Sequence, residues 1–232
     1  MGTDRRAAYL AEAACLAGLL PPGVVLAALA GPGDALPLPS AEAARAAGLP
    51  RGRAGEFTAG RWCAHRALER LGCPETAIGA GRYGEPSWPA GYTGSITHKP
   101  GAAVAVAAAA PEAIGIDLEH TAALPPAIRG QVLLPAEPDL PPGFPLPALV
   151  AERIVFCAKE AYYKWHDSAH GGTRRPGFAD VRVRLEAGGP RAGGWLRAEP
   201  ASASASGVPP AVGGWVCGPR WILAAVWAAA TG

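Results

Sequence analysis

The chain has 232 residues and a formal net charge of +2; half of its residues are apolar and only 17% are charged. This length allows one large domain or two small ones with a real hydrophobic core, and so small a charge gives no support for binding to nucleic acid or to a membrane surface. No apolar run is long enough to span a membrane, and five scattered cysteines without a CxxC pair favour reduced thiols in the cytoplasm over disulfides or a zinc site.

The N-terminal region predicts a helix followed by a buried strand. The helix covers residues 4–20, and the strand at 24–29 follows a Pro-Pro-Gly turn. A secretory signal is the alternative, because Arg5 and Arg6 precede an apolar segment. Glu12 lies inside that segment and the turn interrupts its middle, so we expect a cytoplasmic protein rather than an exported one.

The next region predicts a long helix and three strands. Residues 31–55 are typical of a loop with a short helix, and residues 55–71 have helical periodicity that ends at Gly72. Short strands are then expected at 92–97, 102–109 and 114–119.

Residues 121–148 are rich in proline and nearly uncharged, and we interpret them as a crossover with a short helix near residues 127–134. A helix at 151–166 follows. The remaining strands are expected at 179–186, 193–198, 213–217 and 220–227, with a flexible Ala/Ser linker at 201–207.

The order of these elements repeats: a helix and three strands, a crossover, then a helix and three or four strands. We therefore predict an α+β fold of two similar halves, a pseudo-dimer in which each half packs a helix on a small, mostly antiparallel sheet. The halves are residues 1–120 and 149–232, joined by the crossover 121–148. The functional site is expected between them.

Two carboxylates are predicted on one face of the strand at 114–119. Because side chains alternate along a strand, its two isoleucines and its leucine share one face, while Asp117 and Glu119 share the other. Neighbouring carboxylates repel each other, and a hard divalent cation relieves that repulsion. The alternative is an exposed edge strand whose carboxylates keep the sheet soluble.

The helix at 151–166 supplies a third carboxylate. Its apolar stripe lies opposite Glu160, so burial of that stripe turns Glu160 outward, with Lys164 one turn further on the same side. Three carboxylates around one metal ion, with an ammonium beside them, suit a phosphate-bearing substrate. The alternative is a solvated ion pair on a surface helix, but two of the chain's three lysines, Lys159 and Lys164, lie here.

Four short motifs carry a resemblance to a known family. They are Gly-Arg-Trp-Cys-Ala-His-Arg-Ala-Leu at 60–68, Gly-Ser-Ile-Thr-His at 94–98, Gly-Ile-Asp-Leu-Glu at 115–119 and Lys-Glu-Ala-Tyr-Tyr-Lys at 159–164. In this order and spacing they make the chain resemble the 4'-phosphopantetheinyl transferase superfamily, in its larger, monomeric surfactin- and enterobactin-type branch. Such holo-[acyl-carrier-protein] synthases move the phosphopantetheine arm of coenzyme A to a serine of an apo acyl- or peptidyl-carrier protein, and they release 3',5'-adenosine bisphosphate.

The resemblance implies roles for five of these residues. Asp117, Glu119 and Glu160 would bind Mg²⁺, with Mn²⁺ as the alternative, and Asp117 would also contact coenzyme A. Glu160 would take the proton from the attacking serine. Lys164 would meet the α-phosphate and the departing oxygen, and Lys159 would approach the coenzyme from the side.

Further coenzyme contacts are implied outside these two motifs. Ser95, Thr97 and His98 would lie along the phosphates, although a turn histidine that bonds a neighbouring carbonyl is the alternative for His98. Arg53 and Arg61 would bind the adenosine end, chiefly its 3'-phosphate. Some relatives carry a lysine before the Glu-Pro-x-Trp-Pro stretch, and here only Arg82 is basic near that point.

Two other functions compete with a transferase. One is an inactive protein of the same fold that binds coenzyme A or a carrier protein, and the other is a different magnesium enzyme such as a nucleotidyltransferase. The acidic and basic positions of the motifs are all chemically competent, which favours the enzyme. We expect a monomer whose crossover leucines form the docking surface for the carrier protein.

Overall fold

The structure is a computed structural model, and it describes residues 3–74, 77–82, 84–110, 112–170, 176–188, 192–202, 205 and 208–229. Its helices are α1 (Thr3–Ala17), α2 (Ser40–Ala47), α3 (Arg51–Arg70), α4 (Pro126–Val132) and α5 (Ala148–His170). Its strands are β1 (Val25–Ala30), β2 (Gly79–Ala80), β3 (Pro86–Ser87), β4 (Tyr92–Lys99), β5 (Ala102–Ala109), β6 (Ile114–His120), β7 (Val181–Ala187), β8 (Gly193–Pro200), β9 (Ala211–Cys217) and β10 (Trp221–Ala228). Of the linker predicted at 201–207, residues 203, 204, 206 and 207 lie outside the described residues. Among the described residues, no helix has both the length and the apolar character that a membrane span needs.

The first sheet is antiparallel, with strand order β1-β5-β4, and α3 packs on one of its faces. The central strand β5 alternates alanine with Val104 and Val106. The alanines at 103, 105 and 107 face Cys63 and Ala67 of α3, whereas the valines face α1. Because both faces are covered, the strand is an uninterrupted apolar run.

The second sheet is also antiparallel, with strand order β6-β10-β9-β8-β7, and α5 packs on one of its faces. The helix buries the apolar stripe that the sequence predicts, namely Ile154, Ala158, Ala161, Tyr162 and Trp165. On the opposite face, Ile116 of β6 and Leu223 of β10 pack with α1. An α+β fold with a helix on each antiparallel sheet is therefore confirmed.

Strands β4 and β6 lie side by side, although they belong to different sheets. The hydroxyl oxygen of Ser95 accepts a hydrogen bond from the backbone N–H of Ile116 (3.1 Å), and side-chain hydrogen bonds join residue 97 to 117 and residue 99 to 119. The residue numbers of these contacting pairs increase along both strands, so the two strands run parallel. By its backbone pairing with β10, β6 is part of the five-stranded sheet, whereas the sequence interpretation grouped it with residues 1–120. The division at 1–120, 121–148 and 149–232 stays a prediction.

Gly115 lies where α5 crosses β6. A Cβ atom built on it would collide with the carbonyl oxygen of Ala161 and would lie against the backbone nitrogen of Trp165. Both of these atoms belong to the backbone of α5, so they cannot rotate away as a side chain could. Absence of a side chain at residue 115 therefore lets the helix approach the strand that carries the carboxylates.

We expect Gly115→Ala to lower the free energy of unfolding by about 1–3 kcal/mol, because the helix must shift to admit the methyl group. Denaturant titration of the purified variant measures this loss. The matched control is Gly130→Ala in α4, where a Cβ meets nothing within 4 Å and alanine favours the helix. Equal stability of Gly115→Ala and the unmodified chain would contradict the close contact.

Candidate active site

A cavity of about 440 Å³ opens where β4 and β6 meet α5. Nine side chains line it: Ile96, Thr97, His98, Lys99, Asp117, Glu119, Phe156, Glu160 and Lys164. The structure thus brings together all three predicted carboxylates, together with Lys164, Thr97 and His98. These residues come from the two neighbouring strands and from one face of the helix.

Each strand carboxylate is paired with one lysine. Lys164 Nζ donates to Asp117 Oδ1 at 2.7 Å and to the carbonyl oxygen of Ile116 at 3.0 Å, and the hydroxyl of Thr97 donates to the same Oδ1 at 3.0 Å. Lys99 Nζ donates to Glu119 Oε1 at 2.7 Å. Both carboxylates are buried, with only 5–6% of each residue exposed, so the ammonium groups offset much of the cost of burying their charges.

Glu160 lies on the helix side of the cavity, and its pKa is raised. Burial is the main cause, and the negative charge of Asp117 adds to it, whereas the nearby Lys164 partly opposes the shift. A carboxyl group that faces another carboxylate in a sheltered cavity is the arrangement that a cation stabilises.

The donor set fits a hard divalent cation. Asp117 Oδ2 is buried, and apart from the weakly donating thiol of Cys157 it has no hydrogen-bond partner among the described residues, so a cation would satisfy this oxygen. Among the described residues, no three acidic, histidine or cysteine side chains already stand close enough to hold a metal ion between them. Magnesium keeps several waters and substrate phosphate oxygens in its coordination sphere, so two or three carboxylates that face the same cavity suffice for it.

His98 lies in the cavity beside an acidic residue that the sequence interpretation did not single out. Its Nδ1 is 3.2 Å from Glu56 Oε2, and Arg53 Nη1 donates to the same oxygen at 3.0 Å. Burial lowers the pKa of His98, although Glu56 opposes the shift. Arg53 itself is exposed, so its guanidinium can turn toward solvent or toward a ligand at the mouth of the cavity.

The structure does not bring Lys159 to the cavity. Its side chain is fully buried, and its Nζ donates to Glu137 Oε2 (2.6 Å), to the carbonyl oxygen of Val132 (2.8 Å) and to that of Phe178 (3.0 Å). Burial lowers its pKa, against the opposing effect of Glu137. In this position Lys159 ties α5 to the crossover, and the coenzyme contact predicted for it has no support in the geometry.

Three other predicted contacts lie outside the cavity wall. Arg61 is buried and donates to the carbonyl oxygens of Ile78 (2.6 Å) and Gly79 (3.0 Å), so it holds the loop before β2. Ser95 is committed to the backbone of β6, as described above. Arg82 is exposed, in the turn between β2 and β3. Their binding roles stay predictions.

Sequence reasoning missed two residues that contact Glu119, namely Lys99 and Arg153. Arg153 Nη1 lies 3.3 Å from Glu119 Oε2, and the same guanidinium donates to the carbonyl oxygens of Ala122 (2.9 Å) and Ala123 (2.7 Å). The alternation of side chains along β4 could have predicted that Lys99 faces the site, because Lys99 lies on the same face of the strand as Thr97. The signal for Arg153 is its place seven residues, or two helical turns, before Glu160.

Two family models match adjacent parts of the chain. The model described as the 4'-phosphopantetheinyl transferase N-terminal domain matches residues 41–108, which contain α3, β4 and most of β5. The model described as the 4'-phosphopantetheinyl transferase superfamily matches residues 113–218, which contain β6 and α5. The two matches meet between β5 and β6, and the cavity is lined from both.

Individual relatives agree with these matches. The chain is similar to 4'-phosphopantetheinyl transferase PptT of Mycobacterium tuberculosis, with 42% identity over 138 residues that cover 58% of this chain and 59% of the relative. It is similar to 4'-phosphopantetheinyl transferase Npt of Nocardia iowensis, with 40% identity over 56% of this chain and 59% of the relative. Enterobactin synthase component D of Salmonella typhimurium is 36% identical over 65% of this chain and 62% of its own length. The chain therefore spans about three fifths of the curated relatives that it matches.

Proposed function

The chain belongs to the 4'-phosphopantetheinyl transferase superfamily, and from that premise we propose that it transfers the 4'-phosphopantetheine group of coenzyme A to a serine of an apo carrier protein. The serine oxygen forms a bond to the β-phosphorus of the coenzyme, and the bond from that phosphorus to the bridging oxygen breaks. The products are the holo carrier protein and 3',5'-adenosine bisphosphate.

One observation carries the proposal: three carboxylates and two lysines line the same cavity, and they come from the three elements that meet there, β4, β6 and α5. A diphosphate substrate needs cationic partners on its oxygens, and the carboxylates can hold a further cation against it. A purely structural ion-pair cluster does not need to line an open cavity, whereas this one faces it from both strands and from the helix.

Mg²⁺ is the metal ion that the family implies, and Asp117, Glu119 and Glu160 are the residues that would hold it. When bound, it would neutralise charge on the diphosphate of the coenzyme. The buried, unsatisfied Oδ2 of Asp117 and the carboxylate of Glu160 in the same cavity support this assignment.

The side chains around these carboxylates have separate tasks in the proposed reaction. Lys164 stabilises the departing phosphate oxygen as a positive point charge. Glu160 accepts the proton of the attacking serine hydroxyl, since it is the one carboxylate contributed by the helix side of the cavity. His98 contacts the coenzyme phosphates from the end of β4. One chain supplies all of these groups, which agrees with action as a monomer.

The carrier protein is proposed to dock along the crossover and the start of α5. This region is held in place by Arg129, whose guanidinium donates twice to the carboxylate of Glu152, each bond 2.8 Å long. The crossover leucines predicted for this role are not exposed, because Leu124 is buried and Leu133, Leu140 and Leu146 pack against the core. The exposed apolar side chains of this region are instead Ile128 and Leu149, with 38% and 56% of each residue accessible. Carrier domains are helical bundles, so an exposed apolar patch suits a helix of such a partner.

Incubation of an apo carrier protein with coenzyme A, Mg²⁺ and the purified chain is expected to add one phosphopantetheine group to the carrier, as measured by intact-protein mass spectrometry. A chelator should abolish the mass gain, and excess Mg²⁺ should restore it. The matched control is the same carrier with its acceptor serine replaced by alanine. Absence of mass gain across acyl- and peptidyl-carrier proteins, with a folded preparation, would refute the proposal.

A further inference from the structure

Lys99 is the second ammonium group of the cavity, and its environment differs from that of Lys164. An ammonium group has three hydrogen-bond donors. Among the described residues, Lys164 has two acceptors, Ile116 O and Asp117 Oδ1, whereas Lys99 has one, Glu119 Oε1. About a third of the Lys99 side chain is exposed, so the group has both unused donors and room to move.

Lys99 also stands between two cavities. It lines the cavity of about 440 Å³ that holds the carboxylates, and it lines an adjoining cavity of about 190 Å³ whose wall contains Gly31, Gly33, Gly52 and Gly55. Among the described residues that line the smaller cavity, Lys99 is the only basic one. Lys99 is thus the residue that the walls of the two cavities share.

The charges around Lys99 indicate where a phosphate group would bind. Asp34 and Glu56 line the smaller cavity, and these carboxylates make its interior unfavourable for a phosphate. Glu119 is contacted on its other oxygen by Arg153, so this carboxylate keeps a cationic partner when Lys99 turns away. The favourable position for an anion is therefore at Lys99 itself, at the junction of the two cavities.

We propose that Lys99 leaves Glu119 and binds a phosphate oxygen of coenzyme A when the coenzyme enters, and that it is thus a second phosphate-binding lysine beside Lys164. This inference rests on the proposed function, because it assigns a contact to the substrate of that reaction. The exchange of a carboxylate for a phosphate keeps the ammonium group paired in both states, so it needs no change in protonation.

The test compares four proteins: the unmodified chain, Lys99→Met, Lys99→Arg and Arg153→Met. The dissociation constant for coenzyme A is measured by calorimetry with Mg²⁺ and without carrier protein, and KM and kcat are measured with a saturating carrier. Arg153→Met is the matched control, because Arg153 contacts the same carboxylate but lines neither cavity. Circular dichroism and thermal melting establish that each variant is folded.

We expect Lys99→Met to raise both the dissociation constant and the KM for coenzyme A by about tenfold to a hundredfold, the effect of losing a hydrogen bond to a charged group. Lys99→Arg should stay within about threefold, because it keeps the positive charge and several N–H donors. Arg153→Met should raise the dissociation constant far less than Lys99→Met does, by no more than about fivefold, because it weakens the charge balance at Glu119 but removes no donor from the coenzyme.

Two results would overturn the inference while the transferase function stands. Lys99→Met could bind coenzyme A as tightly as the unmodified chain, or it and Arg153→Met could weaken binding equally, in which case Lys99 acts only through Glu119. An unmodified chain that neither binds coenzyme A nor modifies any carrier protein would refute the proposed function instead, and the inference with it.

Discussion

Asp117→Asn is expected to lower the rate of phosphopantetheine transfer by about a hundredfold to a thousandfold, the size of effect seen when one preorganised electrostatic group is removed from an active site. Asparagine keeps the shape of the side chain, and its oxygen can still accept from Thr97 and Lys164. It replaces Oδ2, however, with an amide nitrogen, which is a hydrogen-bond donor and cannot bind a cation. The rate is measured as the initial appearance of holo carrier protein at saturating coenzyme A and Mg²⁺.

The control for this prediction is Glu186→Gln. Glu186 is an exposed carboxylate paired with Arg197 at 3.1 Å, between β7 and β8, and it does not line the cavity. Its loss should change the rate by less than about twofold, because exposed ion pairs contribute little. A folded Asp117→Asn protein that transfers at the unmodified rate would contradict the role proposed for Asp117 in binding the metal.

Much of this architecture could be predicted because local patterns agree with the tertiary structure. The period of two in β6 puts Asp117 and Glu119 on the cavity side, and the apolar stripe of α5 puts Glu160 and Lys164 there as well. These side chains are positioned by which face of their own element is buried. The buried face of a strand or helix depends on the spacing of apolar residues within that element, so it can be read from the local sequence.

The start of α3 was harder to predict, for an identifiable reason. The helix begins at Arg51, four residues before the start that the sequence pattern predicts at Gly55. A Cβ on Gly55 would lie 2.5 Å from the carboxylate oxygen of Asp34, so this glycine allows close packing inside a helix rather than a turn. The residues around Gly55 give no sign that Asp34 packs against it, because that contact is long-range in the sequence.

Long-range partners also explain the different outcomes for Lys159 and Lys99. Lys159 adjoins Glu160 on the helix, but its face is covered by Val132, Glu137 and Phe178, from segments that the helix meets only after folding. Lys99 lies opposite Glu119 because β4 and β6 run parallel across two sheets. Pairing between separate sheets leaves no local pattern, so motifs alone could not tell which two of the three lysines enter the cavity.

Lys159→Met is expected to lower the free energy of unfolding by about 3–5 kcal/mol, because it leaves the buried carboxylate of Glu137 without its cation. Two backbone N–H groups, from Leu134 (2.9 Å) and Val183 (2.7 Å), also donate to Glu137, and they hold it in place so that it cannot turn to solvent. Denaturant titration measures the loss. Coenzyme A affinity of the folded variant, measured by calorimetry, should remain within about threefold.

A double variant separates loss of the ion pair from loss of packing. Lys159→Met combined with Glu137→Gln removes both charges, and it should recover at least half of the stability lost in Lys159→Met, because a buried pair replaced as a unit leaves no unpaired charge. If Lys159→Met is too unstable to purify, Glu137→Gln alone tests the same pair from its other side. A stable Lys159→Met protein with coenzyme A affinity reduced tenfold or more would instead favour direct contact with the coenzyme, and it would require Lys159 to leave Glu137 when the coenzyme binds.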